Sequence, residues 1–589
     1  MSRSRETRVS FLTIIAVLFG AGLAIAQQTS PPPNVILIMT DDQGYGDLSI
    51  TGNAAIETPN MDRLAKEGVW FKQFYVSPVC TPTRAHLMTG RYNFRNRAID
   101  TYLGRAVMEP EEVTLAEVLT EAGYATGIFG KWHLGDYFPT RAIDQGFQEA
   151  VVHQGGGLRQ PANPPEGERY HDPILSHNGE FQQYEGYCTD IYFDQAASFI
   201  EQNASNEKPF FVYLPTNAPH GPFDEPPTRE LMEHFKAKFP DDQNDNRSGF
   251  YAMIKNVDEN IGRLLETLVE LGIEQNTLVI FLTDNGPSAG SAGPFRGMKS
   301  NVYEGGIRTV CFLRWPGLIE AGSTVSFPGA HLDLMPTILD FCNIPLPDNV
   351  QIDGRSLRPL IAEQGEIKTQ GWPDRYLFLQ WHRGEIPQRY HNFAVVGPQG
   401  KWKLLSSGRT SQHIPEDPPG FALFDLENDI SEKHNIAHNH PDIVERFKAE
   451  YDAWFDDVTH TREPNFGMPP IVIGSDEQPT TILTSQDKRV DEVGGEGWWA
   501  PGHWPVDIRD EGPYTVHILL NENTTKATEV HLTLQMDGEQ WTKSVTIPRG
   551  VDAMAVGNIT LPRTGQGRIV GRIVGEEPAG PHVFQLTFK

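Results

Sequence analysis

The chain has only four cysteines, Cys80, Cys188, Cys311 and Cys342, in 589 residues. None falls in a C-x-x-C or Cys/His spacing, which excludes the common structural zinc sites, and a protein of this size needs no disulfide framework to hold a core. One bridge among Cys188, Cys311 and Cys342 stays open, with no pairing favoured. Positive charge is also scarce: 49 Lys and Arg against 77 Asp and Glu give a formal charge of -28. Such a surface repels nucleic acid and anionic lipid, so neither is an expected partner, although a local cluster of cations and metal can still hold an anion. Beyond Phe11–Ile25 no apolar run is long enough to span a membrane. Internal repeats are missing as well.

The one long apolar run follows Arg3, Arg5 and Arg8 and ends in Ala24-Ile25-Ala26 before Gln27. Residues 1–26 therefore read as a signal peptide, and the competing reading, an N-terminal anchor, suffers from a run shorter than the ~20 residues of a spanning helix. No Cys follows the cleavage site to carry lipid. The expected location is secreted or periplasmic.

What remains is too long for one core, and a charged fraction of 21% gives no reason to expect long disorder. Val35–Met39, Phe210–Leu214 and Leu278–Leu282 read as fully buried strands, separated by amphipathic helical patterns at Met61–Gly68, Leu115–Ala122 and Gly249–Leu271. The fold class is α/β: a large mixed, mostly parallel sheet sandwiched by helices over residues 27–375. Residues 376–462 read as a small antiparallel sheet with a C-terminal helix, from Tyr376–Gln380, Phe393–Val396 and Trp402–Leu405 followed by Pro441–Trp454. Residues 463–487, rich in Pro, Gly, Ser and Thr, read as a linker. Alternating strands over 488–589 indicate an accessory β-sandwich. At its start Trp498, Trp499, Trp504 and Tyr514 are either a platform for stacking sugars or part of the core.

Each buried run delivers polar residues just past its C-terminal end, where open α/β sheets place their ligands. The first leads to Asp41-Asp42, the second to His220 in Asn217-Ala218-Pro219-His220, the third to Asp284-Asn285. A single Asp there is usually a turn or cap residue, but three such ends suggest one site. Hard oxygen ligands suit Ca²⁺ or Mg²⁺ better than zinc.

Cys80 opens the run Cys80-Thr81-Pro82-Thr83-Arg84-Ala85-His86-Leu87-Met88-Thr89-Gly90-Arg91. This resembles the C-x-P-x-R signature and T-G-R ending of the type I, formylglycine-dependent sulfatases, the arylsulfatase-like members of the alkaline phosphatase superfamily. The resemblance continues through Gly130-Lys131-Trp132-His133-Leu134-Gly135, Arg296-Gly297-Met298-Lys299, Glu304-Gly305-Gly306-Ile307-Arg308 and Leu423-Phe424-Asp425-Leu426 with Glu432–Ile436. It leaves out residues 488–589.

The resemblance implies a sulfuric ester hydrolase in which Cys80 is oxidised to 3-oxoalanine (formylglycine) by a formylglycine-generating maturation enzyme. It implies one Ca²⁺, with Mg²⁺ as the substitute, held by Asp41, Asp42, Asp284, Asn285 and a hydroxyl of modified Cys80. Arg84, one turn beyond Cys80 if Pro82 starts a helix, would brace the aldehyde hydrate and the carboxylates, while Lys131 and Lys299 add charge. His220, with Lys299, would protonate the leaving oxygen, and His133 would later take a proton from the hydrate so that sulfate is expelled. Lys131 and His133 would share a face if their segment is extended.

The expected substrate is a sulfated poly- or oligosaccharide. The long segment His153–Asp190 carries Arg159, Arg169, His171 and His177, a cationic cluster that would meet further acidic groups. Phosphodiesterases and phosphonate monoester hydrolases of the same superfamily are the rival reading. A glycan-binding protein on an inactive hydrolase fold is a second one, and no catalytic position is substituted as it would require.

Overall fold

The run Val35–Met39 lies within a wholly buried strand, Asn34–Thr40. The computed structural model describes residues 31–162, 169–363, 372–384, 386–407, 420–462, 466–490, 497–498, 502–520, 524–574 and 583–589. Along this strand Val35, Leu37 and Met39 enter one apolar cluster and Ile36 and Ile38 another, so both faces of the sheet are covered. That is why the sequence here is continuously apolar rather than alternating.

The strand is central to an 11-stranded sheet. Thr277–Thr283, Asn34–Thr40, Phe210–Pro215, Ala125–Lys131 and Glu149–His153 are parallel neighbours in that order. Antiparallel strands extend both flanks. Helices Pro59–Lys66, Cys188–Ser205 and Asn246–Glu270 cover one face, and Cys80–Thr89, Leu115–Glu121 and Leu334–Phe341 the other.

A second, antiparallel sheet comprises Leu377–Gln380, Phe393–Val396, Trp402–Ser406 and Ala422–Asp425, and packs on helix Pro441–His460. A buried ion cluster ties it to the first. Lys403 Nζ lies 2.9 Å from Glu304 Oε1 and 2.8 Å from Glu432 Oε1, while Arg308 reaches the other oxygen of Glu304 at 3.0 Å.

Two further sheets, of six and four strands, share one apolar cluster near the C-terminus. They begin earlier than residue 488. Ile471–Ile473 pairs with Gly502–Ile508, and Thr481–Thr484 pairs with the last strand, Val583–Phe588, so the stretch read as a linker carries two short strands. Runs this short show no periodicity and leave the turn-rich composition to dominate the sequence.

Residues Pro33–Lys589 pack as one unit. All four cysteines are free and buried, so the bridge left open in the sequence does not form. Apart from Cys80 they are small core residues on separate elements: Cys188 begins a helix, Cys311 lies in a strand and Cys342 closes another helix. Among the described residues no helix is long and apolar enough to cross a membrane; residues 1–26 lie outside them.

Candidate active site

Four parallel strands end at one edge of the large sheet, and each passes a polar residue into the same place. Thr40 is in register with Thr283, so Asp41 and Asp284 leave adjacent strands together. Lys131 closes its own strand, and its Nζ lies 2.7 Å from Asp41 Oδ2. Gly130 permits this: its φ is +137°, and a Cβ there would sit 1.9 Å from the carbonyl oxygen of Pro215. Asp42, at φ +66°, turns back so that its backbone N–H donates to Asp284 Oδ1 at 3.0 Å.

Cys80 is the first residue of helix Cys80–Thr89. The helix begins two residues earlier than Pro82, which still lies in the first turn, where a missing N–H costs no intrahelical bond. The Cys80 thiol donates to Asp41 Oδ1 at 3.5 Å. Arg84, one turn on and fully buried, donates to Asp284 Oδ2 at 2.8 Å and to the carbonyl of Lys131 at 2.9 Å, and stands 3.9 Å from Asp41 Oδ1. One guanidinium thus fixes the ends of two strands and lies close to a third.

Asp41, Cys80 and Asp284 each direct a ligand atom to a common point, within 4.8 Å of one another. Asn285 Nδ2 donates to Asp42 Oδ1 at 2.8 Å, but Asn285 Oδ1 is buried without a hydrogen-bond partner among the described residues. An orphaned amide oxygen beside three buried carboxylates is the donor set a hard cation takes, so these residues fit a Ca²⁺ or Mg²⁺ ion. Asp41, Asp42 and Asp284 face Arg84, Lys131 and Lys299, and these charges balance. A divalent ion would leave the cluster positive, an anion site within an acidic protein.

Burial raises the Asp284 carboxyl, with Asp41 adding to the shift and Arg84 opposing it. Burial also pushes the Cys80 thiol up to about 12 against the pull of Lys131 and Lys299, which leaves the unmodified thiol protonated. Burial favours the neutral form of Asp42 too, but Lys299, His220 and Lys131 outweigh it and hold the carboxyl below its usual range. Lys299 Nζ lies 2.6 Å from Asp42 Oδ1; burial disfavours its charge and Asp42 more than restores it.

The two histidines present different nitrogens. His220 Nδ1 donates to the carbonyl of Gly221 at 2.7 Å, leaving Nε2 3.8 Å from Asp42 Oδ2. Burial lowers this imidazole to about 4 even though Asp42 pulls it upward. His133 donates from Nε2 to the carbonyl of Thr101 at 2.9 Å, and its Nδ1 is buried without a partner among the described residues. Burial, then Lys131 and Arg84, hold it neutral. The segment is not extended at this point: His133 has φ +57°, so the alternation expected from Lys131 stops there.

A cavity of about 320 Å³ opens over Cys80, and His133, His220 and Lys299 line it. It is also lined by Tyr102, Ser300 and Arg383, which no sequence motif marked, and by Trp498, one of the four aromatics noted in the sequence. From the segment His153–Asp190 the cavity receives Gly156 and Gln160. None of the cations expected to meet the substrate, Arg159, Arg169, His171 and His177, is among the residues that line the cavity. Arg159 is held by Asp224, at 2.9 Å, and by Glu225; His177 Nε2 lies 2.6 Å from Glu149 Oε1; His171 Nε2 bonds the carbonyl of Pro226 at 2.8 Å. Arg169 is exposed. Acidic partners from other segments thus occupy Arg159 and His177.

The four aromatic residues near the start of the C-terminal unit separate as well. Trp504 is core, its indole N–H donating to the carbonyl of Thr484, and Tyr514 packs at the edge of the same apolar cluster. Trp498 is at the cavity, and Trp499 lies outside the described residues.

Residues 33–344 match a family model described as Sulfatase, and residues 296–453 match one described as N-sulphoglucosamine sulphohydrolase, C-terminal. N-acetylgalactosamine-6-sulfatase of Canis lupus familiaris is 34% identical over 476 residues, 74% of this chain and 85% of the relative. Arylsulfatase A of Homo sapiens is 32% identical over 480 residues, 74% of this chain and 89% of the relative. A crystal structure described as Ps i-CgsB in complex with k-i-k-neocarrahexaose is similar with a TM-score of 0.63 and 30% identity, over 74% of this chain and 95% of that one. The phosphonate monoester hydrolase SpPMH from Silicibacter pomeroyi, at 21% identity and a TM-score of 0.53 over 73% of this chain and 97% of that one, shares the fold.

Proposed function

The chain belongs to the sulfatase family, and on that premise we propose that it is exported and removes sulfate from sulfated poly- or oligosaccharides. It is a sulfuric ester hydrolase. The observation that carries the reading is the position of Cys80, on the cavity wall and within the Asp41, Cys80 and Asp284 ligand group. The carbohydrate assignment draws support from relatives whose names specify a sulfated hexosamine and a carrageenan fragment. Export rests on residues 1–26.

Cys80, oxidised to formylglycine by a maturation enzyme, would supply a hydrated aldehyde as nucleophile where the buried thiol supplies none. A Ca²⁺ ion, or Mg²⁺, held by Asp41, Asp42, Asp284, Asn285 and modified Cys80, would supply positive charge toward the outer oxygens of the ester. Arg84 keeps Asp284 and the end of the Lys131 strand in place. Lys131 and Lys299 hold their charges close to the position of the sulfate group. His220 keeps Nδ1 protonated on Gly221 and moves a proton at Nε2 to the leaving oxygen, with Lys299 alongside. An anionic ester next to Nε2 raises its proton affinity above that of the free site. His133, neutral and with Nδ1 unpartnered, is the base.

The test is sulfate release from chondroitin sulfate, heparan sulfate and carrageenan oligosaccharides, with nitrophenyl sulfate and bis(nitrophenyl) phosphate in parallel. Release from a saccharide at a higher kcat/KM than from the aryl ester is expected. Cleavage of the phosphodiester alone would move the chain to the rival hydrolases.

A further inference from the structure

The cavity over Cys80 is not closed by the α/β sheet alone, since Gly497 and Trp498 of the C-terminal unit form part of its wall. Trp498 meets the ring of Tyr102 edge-on, with centroids 6.0 Å apart and planes at 85°. Both rings are partly exposed.

The corner they make is braced from behind. The indole N–H of Trp498 donates to Gln486 Oε1 at 3.3 Å, and its carbonyl accepts from Lys488 Nζ at 2.9 Å. Gln486 in turn donates from Nε2 to the carbonyl of Thr101 at 2.9 Å, and its own carbonyl accepts from the backbone N–H of Gly104 at 2.8 Å. Tyr102 is clamped by the guanidinium of Arg383, 4.2 Å from the ring centroid, while Asp100 holds that arginine at 2.8 Å. A pair of aromatic rings fixed in this way loses little freedom when a ligand arrives.

We propose that Trp498 and Tyr102 form the subsite for the sugar ring that bears the sulfate, so that the C-terminal unit completes the active site rather than acting as a separate carbohydrate-binding module. A pyranose has apolar C–H faces that suit such rings and hydroxyls that suit the polar rim supplied by Gln160 and Ser300. The proposal rests on the sulfatase reading above and goes beyond it in naming Trp498, a residue outside both matched family regions.

The experiment uses the full chain with Trp498→Ala and Trp498→Phe, the saccharide of the panel that the wild type desulfates fastest, nitrophenyl sulfate, and inhibition by inorganic sulfate. Trp498→Ala is expected to lower kcat/KM on the saccharide by about ten-fold or more, chiefly through KM, with a smaller loss on nitrophenyl sulfate. Trp498→Phe is expected to restore most of the difference. A Ki for inorganic sulfate close to that of the wild type reports an intact anion site. Equal losses on both substrates, or none on the saccharide, overturn the subsite. If the wild type cleaves nitrophenyl sulfate but no saccharide, the carbohydrate reading falls and the subsite with it. If it cleaves neither, the sulfatase reading itself fails.

Discussion

Asp41 and Asp284 are neighbours because the residues before them, Thr40 and Thr283, face each other across two parallel strands. Residues more than two hundred positions apart thereby offer carboxylates to one point, and Arg84 joins them from a helix on a third segment. The site inherits its geometry from sheet register, the least deformable part of the fold.

Asp284→Asn should therefore test the ion without collapsing the cluster. The amide keeps the shape that Arg84 packs against but removes one charge from the ligands proposed for the cation. Purified variant protein should retain less calcium than the wild type by metal mass spectrometry, and activity should fall at least about 100-fold. Asp284→Ala should in addition lower the melting temperature, because it leaves the buried Arg84 guanidinium with no acceptor oxygen at this position.

Active protein should carry no thiol at residue 80. The tryptic peptide containing Cys80 is expected to be lighter than encoded by the change from CH₂SH to CHO, and Cys80→Ala should lose turnover while keeping the wild-type circular dichroism spectrum. Full activity with an intact Cys80 thiol would end the formylglycine reading.

His220→Ala should hurt a poor leaving group most. A sugar alkoxide needs its proton at the moment the S–O bond breaks, whereas nitrophenolate does not. The expected loss is about 100-fold or more on a sulfated saccharide and clearly smaller on nitrophenyl sulfate. Equal losses would assign His220 to binding instead.

The Lys403 cluster predicts a stability effect remote from the chemistry. Lys403→Met leaves Glu304 and Glu432 buried without the cation between them, with Arg308 and the Tyr75 hydroxyl remaining on Glu304. Thermal unfolding should show a loss of about 3–5 kcal/mol, the usual result of removing one partner from a buried pair. Adding Glu432→Gln should recover part of it.

How far the site is legible in the sequence depends on whether its residues are contiguous or mark the ends of recognisable elements. Cys80 and Arg84 share one helical turn, and Asp41, Asp42, Asp284 and Asn285 follow buried strands that their apolar runs announce. Tyr102, Arg383 and Trp498 lie on loops with no periodicity, and only the folded chain brings them to one wall. Arg159 misleads for the converse reason: its charge is plain in the sequence, but the carboxylates that neutralise it, Asp224 and Glu225, arrive from another loop. The linker reading of 463–487 misses Ile471–Ile473 and Thr481–Thr484 because strands of three or four residues leave no pattern to see.

Gly156 and Gly157 leave room for the two histidine rings and no more. A Cβ on Gly156 would lie 2.5 Å from His133 Cε1 and 2.7 Å from its Nε2, while one on Gly157 would lie 2.8 Å from His220 Cε1 and 2.9 Å from its Nδ1. These are closer than carbon atoms pack, so each ring must shift to admit a methyl group. For His133 the shift strains the hydrogen bond to Thr101, and for His220 the one to Gly221. Gly157→Ala should then reproduce the substrate dependence of His220→Ala, with a loss of about ten-fold or more on the saccharide and less on nitrophenyl sulfate. Gly156→Ala should lower kcat on both, since a displaced base slows a step they share. Steady-state kinetics with both substrates distinguishes the patterns, and a melting temperature near that of the wild type separates ring displacement from unfolding. If either variant keeps wild-type kinetics, the loop yields instead of the ring, and these glycines do not position the histidines.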